Sequence, residues 1–300
     1  MPQSRLPRRD FLTLAATGAA GTAIAALTGS CARTASLPDA TTASSGPLLR
    51  AASRTAIKLG VASYSLRNFP RDKAIAMVQA LRTPYVNFKS VHLPYESSLA
   101  ELAAARHQIE SAGLSIIGGG TITFDKDTDT DVARCFDYAR AAGMPLIVAT
   151  MDPAILPRVE RFAVRYDIRV AIHNHGPEDP HFPSPYDVLK AVRSMDPRLG
   201  LCIDIGHTAR TGTDVVQSLA DAGSRLLDMH AKDLRDLTNA ESQCIVGEGA
   251  MPVAAILRQL VAMNYAGCVN LEYEIDADDP LPGMKQSMAF LRGVLAAIGG

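Results

Sequence analysis

Five of the seven histidines in this chain stand at or just past the ends of short apolar runs: His92, His173, His175, His207 and His230. Asp204 and Glu272 occupy matching places in other runs. Imidazole and carboxylate are the side chains that hold divalent cations, and donors spread over several strand ends converge only where those strands meet. The pattern therefore points to a metal site assembled at the rim of a barrel. In IRVAIHNH, starting at Ile168, His173 and His175 lie two apart and leave a strand on one face, with Asn174 between them. Asp204 follows Leu201, Cys202 and Ile203. A carboxylate buried there is costly unless it is paired or bound to a cation, so a metal-ligand role is favoured over a salt bridge to Lys89 or Arg67. In Asp228-Met229-His230-Ala231-Lys232-Asp233 the strand period puts His230 and Lys232 on one face with Asp228 one step deeper. Asp233 either hydrogen-bonds within the turn or orients a neighbour. Glu272 and Glu274 also share a face, and the period does not choose between them as ligand and rim charge.

Chemistry at strand ends needs strands to carry it. Eight runs qualify: IKLGVASY from Ile57, YVNFKSVH from Tyr85, LSIIGG from Leu114, PLIVAT from Pro145, IRVAIHNH from Ile168, LGLCIDIGH from Leu199, LLDMHAKD from Leu226 and CVNLEYE from Cys268. They are rich in Val, Ile and Leu and lack polar alternation, which suits strands buried on both faces of a parallel sheet. Helical spacing recurs between them, as in DKAIAMVQALR from Asp72, SLAELAAARHQIESAG from Ser98, DVARCFDYARAAG from Asp131 and VAAILRQLVAMNYAG from Val253. Eight strand-helix units predict a single-domain α/β fold, a (β/α)8 TIM barrel over residues 57–300, close to the usual size of roughly 250 residues. An open doubly wound sheet is the alternative. It is disfavoured because SYSLRNF, not a glycine-rich phosphate turn, follows the first run.

Composition narrows the partners. A net charge of −1 offers no field to attract nucleic acid or an anionic membrane surface. The five cysteines form no C-x-x-C pair. Cys135, Cys202 and Cys268 fall in apolar stretches and read as small core residues, while Cys244 is placed in a loop. Residues 1–32 read as a twin-arginine export signal, with Arg8-Arg9-Asp10-Phe11-Leu12 ahead of an Ala- and Gly-rich stretch from Leu14 to Leu27. That stretch is short for a membrane span. Residues 33–56 form a Ser/Thr/Ala-rich flexible tether. Thr28-Gly29-Ser30-Cys31 is a degenerate lipobox, so a lipid anchor at Cys31 competes with cleavage near Ala32 or Ala35. Either route places the protein in the periplasm or on the cell envelope. Because this export carries folded proteins, an ion can be loaded in the cytoplasm, which suits Mn²⁺, a weak competitor in the affinity order.

The combination of His-x-His at His173, Asp-Ile-Gly-His at Asp204, His-Ala-Lys-Asp at His230 and Gly-x-Val-x-x-Glu-Tyr-Glu through Glu272 resembles the xylose isomerase-like barrels of the sugar phosphate isomerase and epimerase kind. The resemblance runs from about Ile57 to Ile298. It implies one divalent ion, Mn²⁺ favoured over Mg²⁺, Co²⁺ or Zn²⁺, held by His173, Asp204, His230 and Glu272. It also implies that His207 meets substrate and that Lys232 contacts sugar hydroxyls. One departure stands out: family epimerases present Glu where this chain has His173, and that Glu is both a ligand and one of two opposed bases. Glu272 remains as a base, with His175, His92, Lys89, Lys232 or Glu248 available for the opposite role. His207, His92, Lys89, Arg67 and Glu248 are the substrate-contact candidates, and Glu272, His175 and Lys232 the catalytic ones.

The expected reaction is metal-assisted proton abstraction next to a carbonyl, through a metal-stabilised enediolate, on a small carbohydrate. Reprotonation makes the enzyme a sugar isomerase or epimerase. Loss of a β-leaving group makes it an exported lyase or hydratase acting on 3-keto-sugars or glycosides, and His173 together with export makes that alternative a serious competitor. A non-catalytic sugar-binding barrel and a metal-cluster hydrolase acting on DNA are weaker readings. The first leaves four polar groups at one rim unexplained, and the second needs more ligands and a basic face. Assembly as a homodimer is a further expectation.

Overall fold

The missing polar alternation has a simple cause: in the computed structural model, which describes residues 57–299, the central strands are covered on both faces. LGLCID and LLDMHA are buried at every position. The proposed export signal, the tether and Cys31 lie outside the described residues.

Each apolar run forms a strand: β1 (Lys58–Ala62), β2 (Tyr85–Phe88), β3 (Ser115–Phe124), β4 (Leu146–Met151), β5 (Arg169–His173), β6 (Leu199–Asp204) and β7 (Leu226–Ala231). A two-residue antiparallel pair follows, β8 (Asp233–Leu234) with β9 (Gln243–Cys244), and then β10 (Cys268–Leu271). Seven parallel pairings run in chain order from β1 to β7 and on to β10, and β10 pairs with β1 to close the barrel. The fold is a single-domain (β/α)8 TIM barrel.

Helices α1 (Arg71–Ala80), α2 (Leu99–Ser111), α3 (Asp129–Ala141), α4 (Leu156–Tyr166), α5 (Pro185–Val192), α6 (Ile205–Arg210), α7 (Val215–Ala222), α8 (Val253–Ala262) and α9 (Leu281–Gly299) fill the connections. Local chemistry sets several starts. Ser98 and Glu101 form a reciprocal capping box on α2, and Thr128 Oγ1 accepts the Asp131 N–H on α3. Buried groups such as Phe88, Phe136, Leu260 and Met284 belong to the main core. Leu146, Val148, Ala171, Cys202 and Leu227 form a second, smaller apolar cluster contributed by strands β4 to β7.

A polar layer lies within the barrel wall as well. Asn87 Nδ2 and Asn270 Nδ2 donate to the two oxygens of Asp228 at 3.2 and 2.8 Å. Burial pushes the Asp228 carboxyl up to about 6. Two features depart from the sequence reading. Cys244, expected in a loop, is buried in β9, because its hairpin folds back against the barrel end. The third strand runs to Phe124, well past LSIIGG, since Thr121, Ile122, Thr123 and Phe124 suit an extended backbone. Among the described residues no helix is long and apolar enough to cross a membrane.

Candidate metal centre and active site

The inward positions at the carboxyl ends of β5, β6, β7 and β10 bring His173, Asp204, His230 and Glu272 together. One ligand atom from each lies within 4.8 Å of every other, and all four residues are buried. His173 Nε2 is 3.2 Å from His230 Nδ1, which is 3.1 Å from Glu272 Oε2. Asp204 Oδ2 lies 3.8 Å from His173 Nε2 and 4.0 Å from His230 Nδ1. These four are the residues the sequence singled out as metal ligands.

Asp204 is aimed by its neighbours. Its backbone N–H donates to Asn174 Oδ1 at 3.1 Å, while Asn174 Nδ2 donates to Thr208 Oγ1 and Thr208 Oγ1 donates to the Asp204 carbonyl. As the cap of α6, Asp204 accepts the His207 N–H on Oδ1 at 2.8 Å. Oδ2 is buried facing the Lys232 ammonium at 3.0 Å, and His230 Nε2 is buried with no hydrogen-bond partner. A carboxylate buried this deeply needs a cation beside it; the Lys232 ammonium supplies one, and a divalent ion would supply another. The donor set of two imidazoles and two carboxylates fits a divalent ion.

Lys232 enters the same centre. Its Nζ is 3.0 Å from Asp204 Oδ2, 3.0 Å from Glu272 Oε2 and 2.6 Å from Glu274 Oε1. Gly206 makes room for it: a Cβ at that position would lie 2.7 Å from Lys232 Cγ and Cδ. Burial opposes charge on Lys232, but Asp204, Glu272 and Glu274 hold its pKa well above the ordinary value. Burial likewise opposes ionisation of Asp204, which Lys232 and His207 pull down to about 2. Glu272 is held well below its usual range against burial, by His230 and Lys232. His173 is pushed well below the histidine range, first by burial and then by His230. His230 moves the other way: burial lowers it, but the Glu272 carboxylate 3.1 Å from Nδ1 raises it above the ordinary value. The surroundings thus favour a neutral His173 and a charged His230 facing Glu272.

Around this centre lie the remaining candidates. His207 is half-buried, with its ring 5.8 Å from His173 and 4.5 Å from the exposed His175. Arg210 Nη1 is 3.1 Å from His207 Nδ1. Arginine can only donate, so Nδ1 accepts, and neutral His207 carries its proton on Nε2. Arg210 is itself held by Glu178. Gly206, His207, Arg210, Lys232, Gln243 and Glu274 line a recess of about 240 Å³. Arg67 Nη2 donates to the Glu274 carbonyl at 2.8 Å, and Lys89 Nζ stands 4.1 Å over the Tyr64 ring. Tyr64, whose ring both cations approach, went unnoticed in the sequence.

Two candidates are engaged elsewhere. His92 uses Nε2 on the Leu66 and Phe69 carbonyls and Nδ1 on Ser63 Oγ. Both nitrogens are spent on holding the exit of β1 to the loop after β2. Glu248 is half exposed and pairs with Arg235 at the surface. Its loop is instead held by Asp233, which accepts the N–H groups of Gly247, Gly249 and Met251. Two positioning residues were not legible as such: Asn174 and Gln243. Gln243 donates to the Glu272 carbonyl and accepts the Glu274 N–H, fixing the strand end that carries both glutamates.

Residues 72–294 match the profile described as "Xylose isomerase-like TIM barrel". The chain belongs to that family. One curated relative, inosose dehydratase of Lactiplantibacillus plantarum, is 28% identical over 138 residues, covering 40% of this chain and 45% of that protein. The chain spans less than half the length of the curated relatives it matches. A structure of L-ribulose 3-epimerase superposes with a TM-score of 0.67 at 15% identity, over 81% of this chain and 95% of that one. The IolI protein, solved with a bound zinc atom, gives a TM-score of 0.67 at 16% identity, over 81% and 99%. At such identities the two superpositions speak for the fold alone.

Proposed function

We propose that this member of the xylose isomerase-like family is a divalent-metal-dependent enzyme of sugar chemistry that abstracts a proton next to a carbonyl. The observation that carries the reading is the convergence of His173, Asp204, His230 and Glu272 at one rim, with the Lys232 ammonium on Asp204 Oδ2 and Glu272 Oε2. When bound, the ion supplies electrophilic polarisation of a carbonyl and a counter-charge for the developing enediolate. Glu272, kept ionised, is the proton acceptor. Lys232 offers its ammonium to a substrate hydroxyl or enediolate oxygen, a role for which a firmly charged donor is suited. His207 presents Nε2–H as donor or acid, its Nδ1 being taken by Arg210. The recess beside Lys232 seats the rest of the sugar.

The isomerase or epimerase outcome follows if a proton returns to the enediolate. A dehydratase outcome is the second reading, and His173 favours it. Epimerisation needs a base on each face of the carbon, and the strand end facing Glu272 offers a neutral imidazole already committed to the ligand cluster. The partial match to an inosose dehydratase supports the same direction. Incubating the metal-loaded protein with ketoses and cyclic polyol ketones in deuterium oxide distinguishes the outcomes by NMR. Deuterium in a sugar that keeps all its hydroxyls marks isomerisation or epimerisation, and loss of water to an unsaturated ketone marks the dehydratase. Absence of both exchange and elimination on every substrate class would refute proton abstraction.

A further inference from the structure

The metal centre occupies one mouth of the barrel, and a separate cavity lies at the other. It stands at the amino-terminal ends of the strands and measures about 520 Å³, within the size range of small-molecule sites. The inside of an eight-stranded barrel is ordinarily filled by layers of bulky branched side chains, which it is just wide enough to hold. Here two of the outermost inward positions carry cations instead. Lys58 stands two residues before Gly60 on β1, and Arg169 two residues before Ala171 on β5. Gly60 faces inward, since a Cβ there would lie 2.5 Å from Asn270 Oδ1, and Ala171 belongs to the inner apolar cluster. In the closed strand order β1 and β5 lie on opposite sides of the barrel, so the two cations face one another across the mouth.

Neither cation is neutralised by a carboxylate among the described residues. Asp167, two residues before Arg169, is taken by Arg198, and the Lys58 ammonium stands 5.6 Å over the Tyr85 ring. Asp228 reaches the inner end of the cavity, but its two oxygens accept from Asn87 and Asn270. Between the cations and Asp228 the wall is apolar, with Ile116, Leu227 and Met263 on it.

We propose that this cavity is a second ligand site, for a small organic anion whose carboxylate or phosphate group meets Lys58 and Arg169 and whose short apolar body lies on Ile116, Leu227 and Met263. Ammonium and guanidinium donors match such oxyanions, and the wall behind them suits a hydrocarbon body. Asp228 at the inner end repels an anion pushed deeper, which keeps the charged group at the mouth. The site is independent of the metal-dependent reading, because none of His173, Asp204, His230 and Glu272 lines it.

The test titrates full-length protein with butyrate, monobutyl phosphate and butanol. Methyl NMR follows Ile116 and Met263 in the cavity, and Ile275 in the recess at the metal mouth. Saturable shifts at Ile116 and Met263 are expected with at least one of the two anions, and the tighter of them identifies the charged group. Lys58→Met and Arg169→Met should each weaken that anion about fivefold, the upper end for an exposed charge pair, and butanol should bind at least about tenfold more weakly than the anion. Both cations are exposed, so the variants should keep the wild-type unfolding temperature. One readout needs no variant: raising salt from about 0.05 to about 0.5 M should weaken the anion and leave butanol unchanged. Anion and butanol binding alike, or anion affinity untouched by both methionine variants and by salt, overturns the proposal. So do shifts confined to Ile275, or no shift at all.

Discussion

Asp204 lies on β6 in an otherwise apolar strand, and its burial alone would favour the protonated form. What keeps it an anion is the set of groups turned toward it: Lys232 at 3.0 Å, the His207 amide on Oδ1, and Asn174 fixing its backbone. Asn174 never needs to touch the ion to matter. Asn174→Ala is expected to weaken divalent-ion affinity by about 10- to 100-fold, the usual cost of losing a residue that orients a ligand, and to lower the unfolding temperature because the buried Asp204 N–H loses its acceptor. Calorimetric titration beside a thermal melt checks it. Lys232 predicts the opposite sign. Its ammonium competes with a cation for Asp204 Oδ2 and Glu272 Oε2, so Lys232→Met should tighten ion binding at least tenfold, about 1.4 kcal/mol. The same variant should lose turnover, because the donor to substrate is gone. Unchanged or weaker ion affinity in Lys232→Met would show that lysine and ion do not share those oxygens. Of the site, His173, Asp204 and His230 stood out because each breaks an apolar run, while the resemblance to the family, not the strand period, chose Glu272 over Glu274. Asn174, Tyr64 and Gln243 did not stand out, since a neutral amide or a tyrosine in a loop carries no such contrast.

Two small elements do the positioning that the barrel strands leave undone. The β8–β9 hairpin holds Gln243 against the backbone of Glu272 and Glu274, and Asp233 at its start gathers three N–H groups of the 247–251 loop. Those three bonds go to a fully buried carboxylate. Asp233→Ala should therefore cost about 3 kcal/mol of stability by leaving buried N–H groups without an acceptor, read by urea denaturation. The other element is the exit turn of β1, tied to the loop after β2 through His92. Burial lowers the His92 pKa, opposed by its two carbonyl partners and assisted by Arg71. The unfolded imidazole titrates near its ordinary value, so the unfolded state binds the extra proton. The stability from neutral His92 is present above a pH of about 6.5 and is lost as pH falls below it. His92→Gln should flatten that part of the stability profile between about pH 7.5 and 5.5, relative to wild type, since the other histidines contribute equally to both curves. Parallel curves would remove His92 from the pH dependence.

At the scale of the whole chain, export belongs to a segment outside the described residues and rests on sequence alone. We propose the twin-arginine route, and the double change Arg8→Lys with Arg9→Lys should keep the protein in the cytoplasm, checked by fractionation. Continued delivery to the periplasm would refute the route. The alternation of eight apolar runs with helical segments narrowed the fold to a barrel or a doubly wound sheet, and the unit count and the SYSLRNF turn favoured the barrel. Residue type and spacing also determined which side chains would stand at the strand ends. What only the tertiary structure decided is how those ends are combined. Closure of the barrel sets the register that places Cys202 beside His173 and Asp204 beside His230, and it brings Lys232 onto two carboxylates from other strands. It also sends His92 and Glu248 to structural and surface partners. The physical reason is range. Periodicity records which face a side chain takes relative to its own strand, whereas a metal centre depends on distances between strands far apart in sequence, and those exist only once the sheet has closed.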